Sequence, residues 1–152
     1  MGNTDSDLRK EVKVKNQIYL AGKISGIPFA DANNWRMFLS NGLKTKSLID
    51  SWKCFNPCAH IRTNGSAMYD SEYFMYDLDQ LRRSRLVIVS FEFGQDSIGT
   101  AMEVAVAFEN RIPIIGYNPG EIEVHPWYDM ALTHMCYDMD GLILFLCDHY
   151  FI

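Results

Sequence analysis

Five short runs constrain this chain more than any other feature: "QIYLAG" (17–22), "WKCFNP" (52–57), "RLVIVSF" (85–91), "IPIIGY" (112–117) and "GLILFL" (141–146). They are largely apolar from end to end instead of alternating with polar residues. A strand with one wet face alternates, so a continuously apolar strand must be covered on both faces. Between the runs lie stretches with helical spacing. "ADANNWRMFLSNGL" (30–43) carries Trp35, Phe38 and Leu39 and stops near Gly42. Further helices are expected from about Met68 to Arg83, over "SIGTAMEVAVAFEN" (97–110) and over "HPWYDMALTHMCYD" (125–138), with a polar loop "CAHIRTNGSA" after the second strand.

Strands and helices that alternate in this way predict an α/β fold: a single-domain, three-layer α/β/α arrangement around a five-stranded parallel sheet, flavodoxin-like or Rossmann-like. A length of 152 residues and 48% hydrophobic content suit one such domain over 16–152, behind a flexible polar leader over 1–15. Ligands of such sheets bind beyond the carboxyl ends of the strands. The turns "GKISG", "NPCAHIR", "FEFGQDS" and "YNPGE" are therefore expected around one crevice.

Several function classes are disfavoured. The net charge is −5 with no long basic block, so a nucleic-acid polymer is a poor partner. No uninterrupted apolar stretch reaches the roughly 18 residues of a membrane span, and a secretory h-region is lacking, which points to the cytoplasm. "MGNTDS" fits a short myristoylation pattern, although a plain polar leader is the simpler reading. Cys54, Cys58, Cys136 and Cys147 show no CxxC spacing and read as reduced core thiols, with Cys147 closing a strand-like run. The four histidines form no ligand pattern, and no metal or cofactor is expected.

Two carboxylates stand out. In "YDSEYFMYDLDQLRR", Phe74, Leu78 and Leu81 define a buried stripe on which Asp77 also lies, while Asp79 points elsewhere. A carboxylate on an apolar face is costly unless it is paired or protonated, so Asp77 is either a satisfied core group or a working acid. Glu103 has an equally ordinary alternative. "TAME" could form a capping box with Thr100 as N-cap, and the first turn would hold Glu103 ionised through the helix dipole. Ser97, at the helix start, is an N-cap or a contact for a phosphate or sugar hydroxyl beside free backbone amides.

"IYLAGKISG", "YDLDQLRRSRLVIV" and "DSIGTAMEVAVAF", in that order, resemble the nucleoside 2-deoxyribosyltransferase family over roughly residues 17 to 117. The resemblance implies a five-stranded parallel sheet and cleavage of N-glycosidic bonds through a covalent glycosyl–glutamate. It implies that Glu103 is the nucleophile, that Asp77 is the acid/base serving the leaving nucleobase, and that Tyr19 positions the nucleophile. Retaining glycosidases place two such groups about 5–5.5 Å apart. One departure is informative: members that transfer typically carry a sugar-binding aspartate six residues before the glutamate. Here Ser97 holds that position and Asp96 precedes it. This resembles the family's nucleoside 5′-monophosphate N-hydrolase branch, in which a serine there contacts phosphate. Gly22, Lys23 and Ser25 of "GKISG" look like that branch's phosphate-side loop without matching it residue for residue.

The expected ligand is thus a small nucleoside or nucleotide, with Gly22, Lys23, Ser25, Asp96, Ser97 and Gly99 lining its site. A bulge that restored Asp96 to the sugar would return the transferase reading. The aromatics and methionines near the C-terminus exceed the needs of a core and point to a homodimer or larger homo-oligomer. Tyr128 and Met130 are candidates to complete a neighbour's site. The rival from another class is a nucleotide sensor without turnover, which would have no need of Glu103 together with Asp77.

Overall fold

The computed structural model describes residues 16–46, 52–61 and 70–151. The leader over 1–15, with its myristoylation pattern, and most of the loop after Ile61 lie outside the described residues. In chain order the elements are β1 (Asn16–Gly22), α1 (Phe29–Thr45), β2 (Trp52–Phe55), α2 (Cys58–Ile61), α3 (Asp70–Arg82), β3 (Leu86–Ser90), α4 (Ile98–Glu109), β4 (Ile114–Tyr117), α5 (Pro126–Ala131), β5 (His134–Cys136) and α6 (Met139–His149). The five strands are all parallel, in the order β2-β1-β3-β4-β5.

Both faces of the sheet are covered, as the apolar strands require. Ile18 and Leu20 of β1 join Leu86 and Ile88 of β3 in a core closed by Trp35, Leu39 and Leu43 of α1 and Leu142 and Leu146 of α6. Tyr19, Ala21, Val87 and Val89 point the other way, against Leu81 of α3, Val104 and Ala107 of α4 and Tyr128 of α5. The crossovers from β1 and β3 leave toward opposite sides, so the strand order reverses between these two neighbours. That reversal opens the crevice of a doubly wound sheet.

The C-terminal expectations fail in an instructive way. The segment 125–138 is not one helix. It holds the six-residue α5, opened by Pro126 after a His125 cap, and then β5, which pairs in register with β4 from His134 against Ile115 to Cys136 against Tyr117. "GLILFL" is not the last strand but the middle of α6. The Asp138 side chain caps that helix by accepting from the Gly141 N–H at 2.6 Å. Leu142 and Leu146, one helical turn apart, are fully buried, whereas Leu144 is 61% exposed. A strand would have placed all three on one face. Cys147 accordingly sits on a helix, and all four cysteines are free thiols.

Smaller corrections have similar causes. Phe74 points outward from the stripe expected of α3, while Leu78 and Leu81 are buried as expected, and on α1 Trp35 and Leu39 are buried with Phe38 exposed. "CAHI" forms the short α2, not a loop. No described helix is long and apolar enough to cross a membrane.

Candidate active site

The loop from Phe91 to Ser97 turns at Gly94, whose φ of +102° suits a residue without Cβ, and delivers the chain into α4. Ser97, not Thr100, is the N-cap: its Oγ accepts from the Thr100 N–H at 3.2 Å and lies 2.9 Å from the Thr100 hydroxyl. Thr100 is therefore inside the helix, and Glu103 lies one turn deeper than a capping box allows. Glu103 is half-buried and free of the capping role that offered its ordinary explanation.

Three elements bring side chains to Glu103. Tyr19 rises from β1, fully buried and stacked on Phe55 with ring centroids 5.4 Å apart. Asp77 comes from α3, half-buried beside the buried Leu78 and Leu81. Arg36 approaches from α1 across the end of β1. Burial raises Glu103 to about 7; the Asp77 charge adds to this, while the Tyr19 hydroxyl and the Arg36 guanidinium oppose it. Burial likewise raises Asp77 to about 6, against the pull of Arg36. The Tyr19 phenol is pushed far upward, first by burial and then by the carboxylates of Glu103 and Asp77. It stays protonated, with its hydroxyl turned to Glu103 but outside the geometry of a well-formed hydrogen bond.

The expectation that a helix dipole would keep Glu103 ionised is thus replaced by a different balance. Two neighbouring carboxylates in a desolvated site resist ionising together. Between about pH 6 and 7 the pair holds one proton, which rests mostly on Glu103, the more basic of the two.

A polar rim lies across the crevice. Lys23 donates to both carboxylate oxygens of Asp96, at 2.8 and 3.0 Å, joining the turn after β1 to the loop before α4. This contact, more than any other, holds the Asp96 carboxyl low. Ser25 is exposed in the same turn, and Gly99 is exposed in the first turn of α4. Gly22 is buried at the end of β1, where a Cβ would lie 3.2 Å from the Trp35 ring and 3.4 Å from Arg36 Nη2. Gln95 donates to the Glu123 carbonyl and accepts from the His125 N–H, so the segment before α5 is tied to the same loop.

Tyr128 packs edge-on against Phe91 inside its own chain. Its buried hydroxyl has no hydrogen-bond partner among the described residues, and Glu103 and Asp96, after burial itself, raise its phenol. It therefore belongs to this chain's own cluster, contrary to the expectation that it serves a neighbour. Met130 does not join the cluster: it is 81% exposed and lines a surface cavity with Phe108, Ile112 and Pro113, near the entry to β4. Among the described residues no three His, Cys, Asp or Glu side chains are grouped to hold a metal ion.

Arg36 was not anticipated. Its signal was present, since Ala32, Arg36, Leu39 and Leu43 follow one helical stripe and all four are buried.

No family model and no curated protein matches the sequence. Solved structures do match in fold. A 2-deoxyribosyltransferase from Bacillus psychrosaccharolyticus superposes with a TM-score of 0.65 at 15% identity, covering 84% of this chain and 90% of that chain. A conserved protein from Enterococcus faecalis V583 gives 0.70 at 14% identity, covering 85% and 95%. The CMP N-glycosidase of Clostridium botulinum gives 0.59 at 14% identity, covering 88% and 100%. The resemblance read from the three sequence motifs is borne out at the level of the fold.

Proposed function

We propose that this protein cleaves the N-glycosidic bond of a nucleoside 5′-monophosphate by hydrolysis, through a covalent glycosyl–Glu103 intermediate. The observation that carries this reading is the convergence of Glu103, Asp77 and Tyr19 from three separate elements, with Glu103 free of any capping role. In the first step a Glu103 carboxylate oxygen attacks the anomeric carbon. The carbon–nitrogen bond breaks, and Asp77 delivers a proton to the departing base from the less populated form of the pair, in which Asp77 and not the more basic Glu103 holds the shared proton. In the second step Asp77 takes a proton from water as the water attacks the same carbon, and Glu103 leaves as a carboxylate. Tyr19 steadies the nucleophile throughout.

The phosphate would lie at the polar rim, between Gly22, Lys23 and Ser25 at the end of β1 and Ser97 and Gly99 at the start of α4, two segments that the Lys23–Asp96 contact joins. Backbone donors and one cation suit a phosphate dianion once Lys23 exchanges its Asp96 partner for the phosphate. A CMP N-glycosidase among the structures of like fold supports a monophosphate substrate. A second reading rests on Asp96: its exposed carboxylate at the rim could hold a sugar hydroxyl, as a 2-deoxyribosyltransferase would require. We include a homodimer or larger assembly in the proposal, because Trp127 and Met130 of α5 are 83% and 81% exposed.

The test is chromatographic detection of free base from ribo- and deoxynucleosides and their 5′-monophosphates, with and without an acceptor base. Release from monophosphates without an acceptor supports hydrolysis, whereas exchange confined to free nucleosides establishes the transferase. No release, with ligand binding unaffected by Glu103→Ala, would make the protein a nucleotide sensor instead.

A further inference from the structure

Arg36 is fully buried, yet it makes no ion pair among the described residues. Its guanidinium is satisfied by neutral groups. Nε donates to the Leu20 carbonyl and Nη2 to the Gly22 carbonyl, both at 3.1 Å, Nη1 donates to the Ala32 carbonyl, and the Cys58 sulfur lies 3.6 Å away. These bonds fix a positive charge at the carboxyl end of β1, the strand that carries Tyr19. A buried charge without an adjacent counter-ion is costly. Carbonyl dipoles offset part of that cost. The nearby ionisable groups it influences are Glu103, Asp77, Tyr19 and the Cys58 thiol.

We propose that Arg36 is a positioning residue: a fixed internal cation, anchored by backbone carbonyls, that acts through Glu103 and favours the second step of the reaction over the first. The inference rests on the glycosyl-transfer reading of the site. Attack on the sugar turns the Glu103 carboxylate into a neutral ester and leaves Arg36 with less compensating charge. Collapse of the intermediate reverses this. Water oxygen bonds to the anomeric carbon, the bond from that carbon to Glu103 breaks, its electron pair returns to the carboxylate, and the proton passes to Asp77. A cation near the departing carboxylate stabilises the charge that develops there. Arg36 thereby makes Glu103 a better leaving group and opposes the rise in its proton affinity that burial causes.

The experiment compares wild type, Arg36→Gln and Arg36→Lys, with folding checked by circular dichroism. The pH–rate profile is recorded for each, and the glycosyl–enzyme fraction is read by intact mass spectrometry after rapid quench. In Arg36→Gln the acid limb of the profile should move up by about one pH unit or more, and the fraction of covalent adduct at steady state should rise several-fold. Arg36→Lys keeps the charge but not the fork, and should retain the wild-type limb and adduct level.

A folded Arg36→Gln with an unchanged limb and adduct overturns the inference, as does a folded Arg36→Lys that behaves like Arg36→Gln. If Arg36→Gln does not fold, Arg36→Lys decides alone: a folded Arg36→Lys whose limb or adduct level departs from wild type overturns the inference. If wild type releases no base, the glycosyl-transfer reading fails. The Glu103 part is then tested by comparing each Arg36 variant with its Glu103→Gln double variant by melting temperature against pH. An unshifted Glu103 titration would refute the influence of Arg36 independently.

Discussion

Replacing Glu103 with glutamine should stabilise the protein at neutral and alkaline pH while abolishing turnover. Burial raises this carboxyl from the ordinary 4.5 to about 7, so the folded state binds its proton more tightly than the unfolded chain does. By linkage, stability falls as pH rises from about 4.5 through about 7 and then levels off. At about 1.4 kcal/mol per pH unit the ceiling is about 3 kcal/mol. Partial exposure of the side chain reduces this to about 2 kcal/mol. Glutamine has the same shape and no charge, so at pH 8 the variant should melt about 4–8 °C above wild type. Near pH 4 the two should coincide. The assay is thermal unfolding by circular dichroism from pH 4 to 8, with base release measured on the same samples. A variant equal to or less stable than wild type at pH 8, or a difference that does not vary with pH, would refute the reasoning. Glu103 would then be an ordinary, well-solvated carboxylate.

The remaining expectations concern the pair, the rim and the C-terminal helix. With Asp77 near 6 and Glu103 near 7, kcat/KM should follow a bell with its maximum close to pH 6.5, read from initial rates across pH; a flat profile from 5 to 9 would count against a shared proton. Tyr19→Phe removes a group that lowers the Glu103 pKa, so the alkaline limb should move upward and activity at pH 6.5 should fall as the form with the proton on Asp77 becomes rarer, most simply seen in the same profiles. Lys23→Ala should raise KM for monophosphates by about tenfold and leave nucleosides unaffected; equal effects on both substrate classes would remove the phosphate from this rim. Asp138→Ala deletes the cap of α6 and should cost about 1 kcal/mol, visible as a melting temperature lower by about 2–4 °C.

The sequence alone supplied the parallel sheet, because a strand apolar on both sides carries its own evidence of being covered on both sides. The alternation of strands and main helices from Ile18 to Tyr117, and a crevice at the carboxyl ends of the strands, follow from that and from helical spacing; its place between β1 and β3 came from the strand order of the folded sheet. The candidacy of Asp77 and Glu103 was legible in the sequence too, since a carboxylate within an apolar pattern can be recognised locally. Tertiary packing resolved what local pattern leaves degenerate. An apolar run such as "GLILFL" satisfies a strand or a buried helix equally well, and the Asp138 cap with partners for Leu142 and Leu146 made it a helix. Ser97 and Thr100 were both competent caps, and only the path of the loop through Gly94 selected Ser97 and thereby released Glu103. Arg36 lay on a visible stripe, but its approach to Glu103 depends on carbonyls of Leu20 and Gly22 that come near it only once α1 folds onto β1. Proton affinities depend on which groups share a dry site, and that is a property of contacts made across the chain.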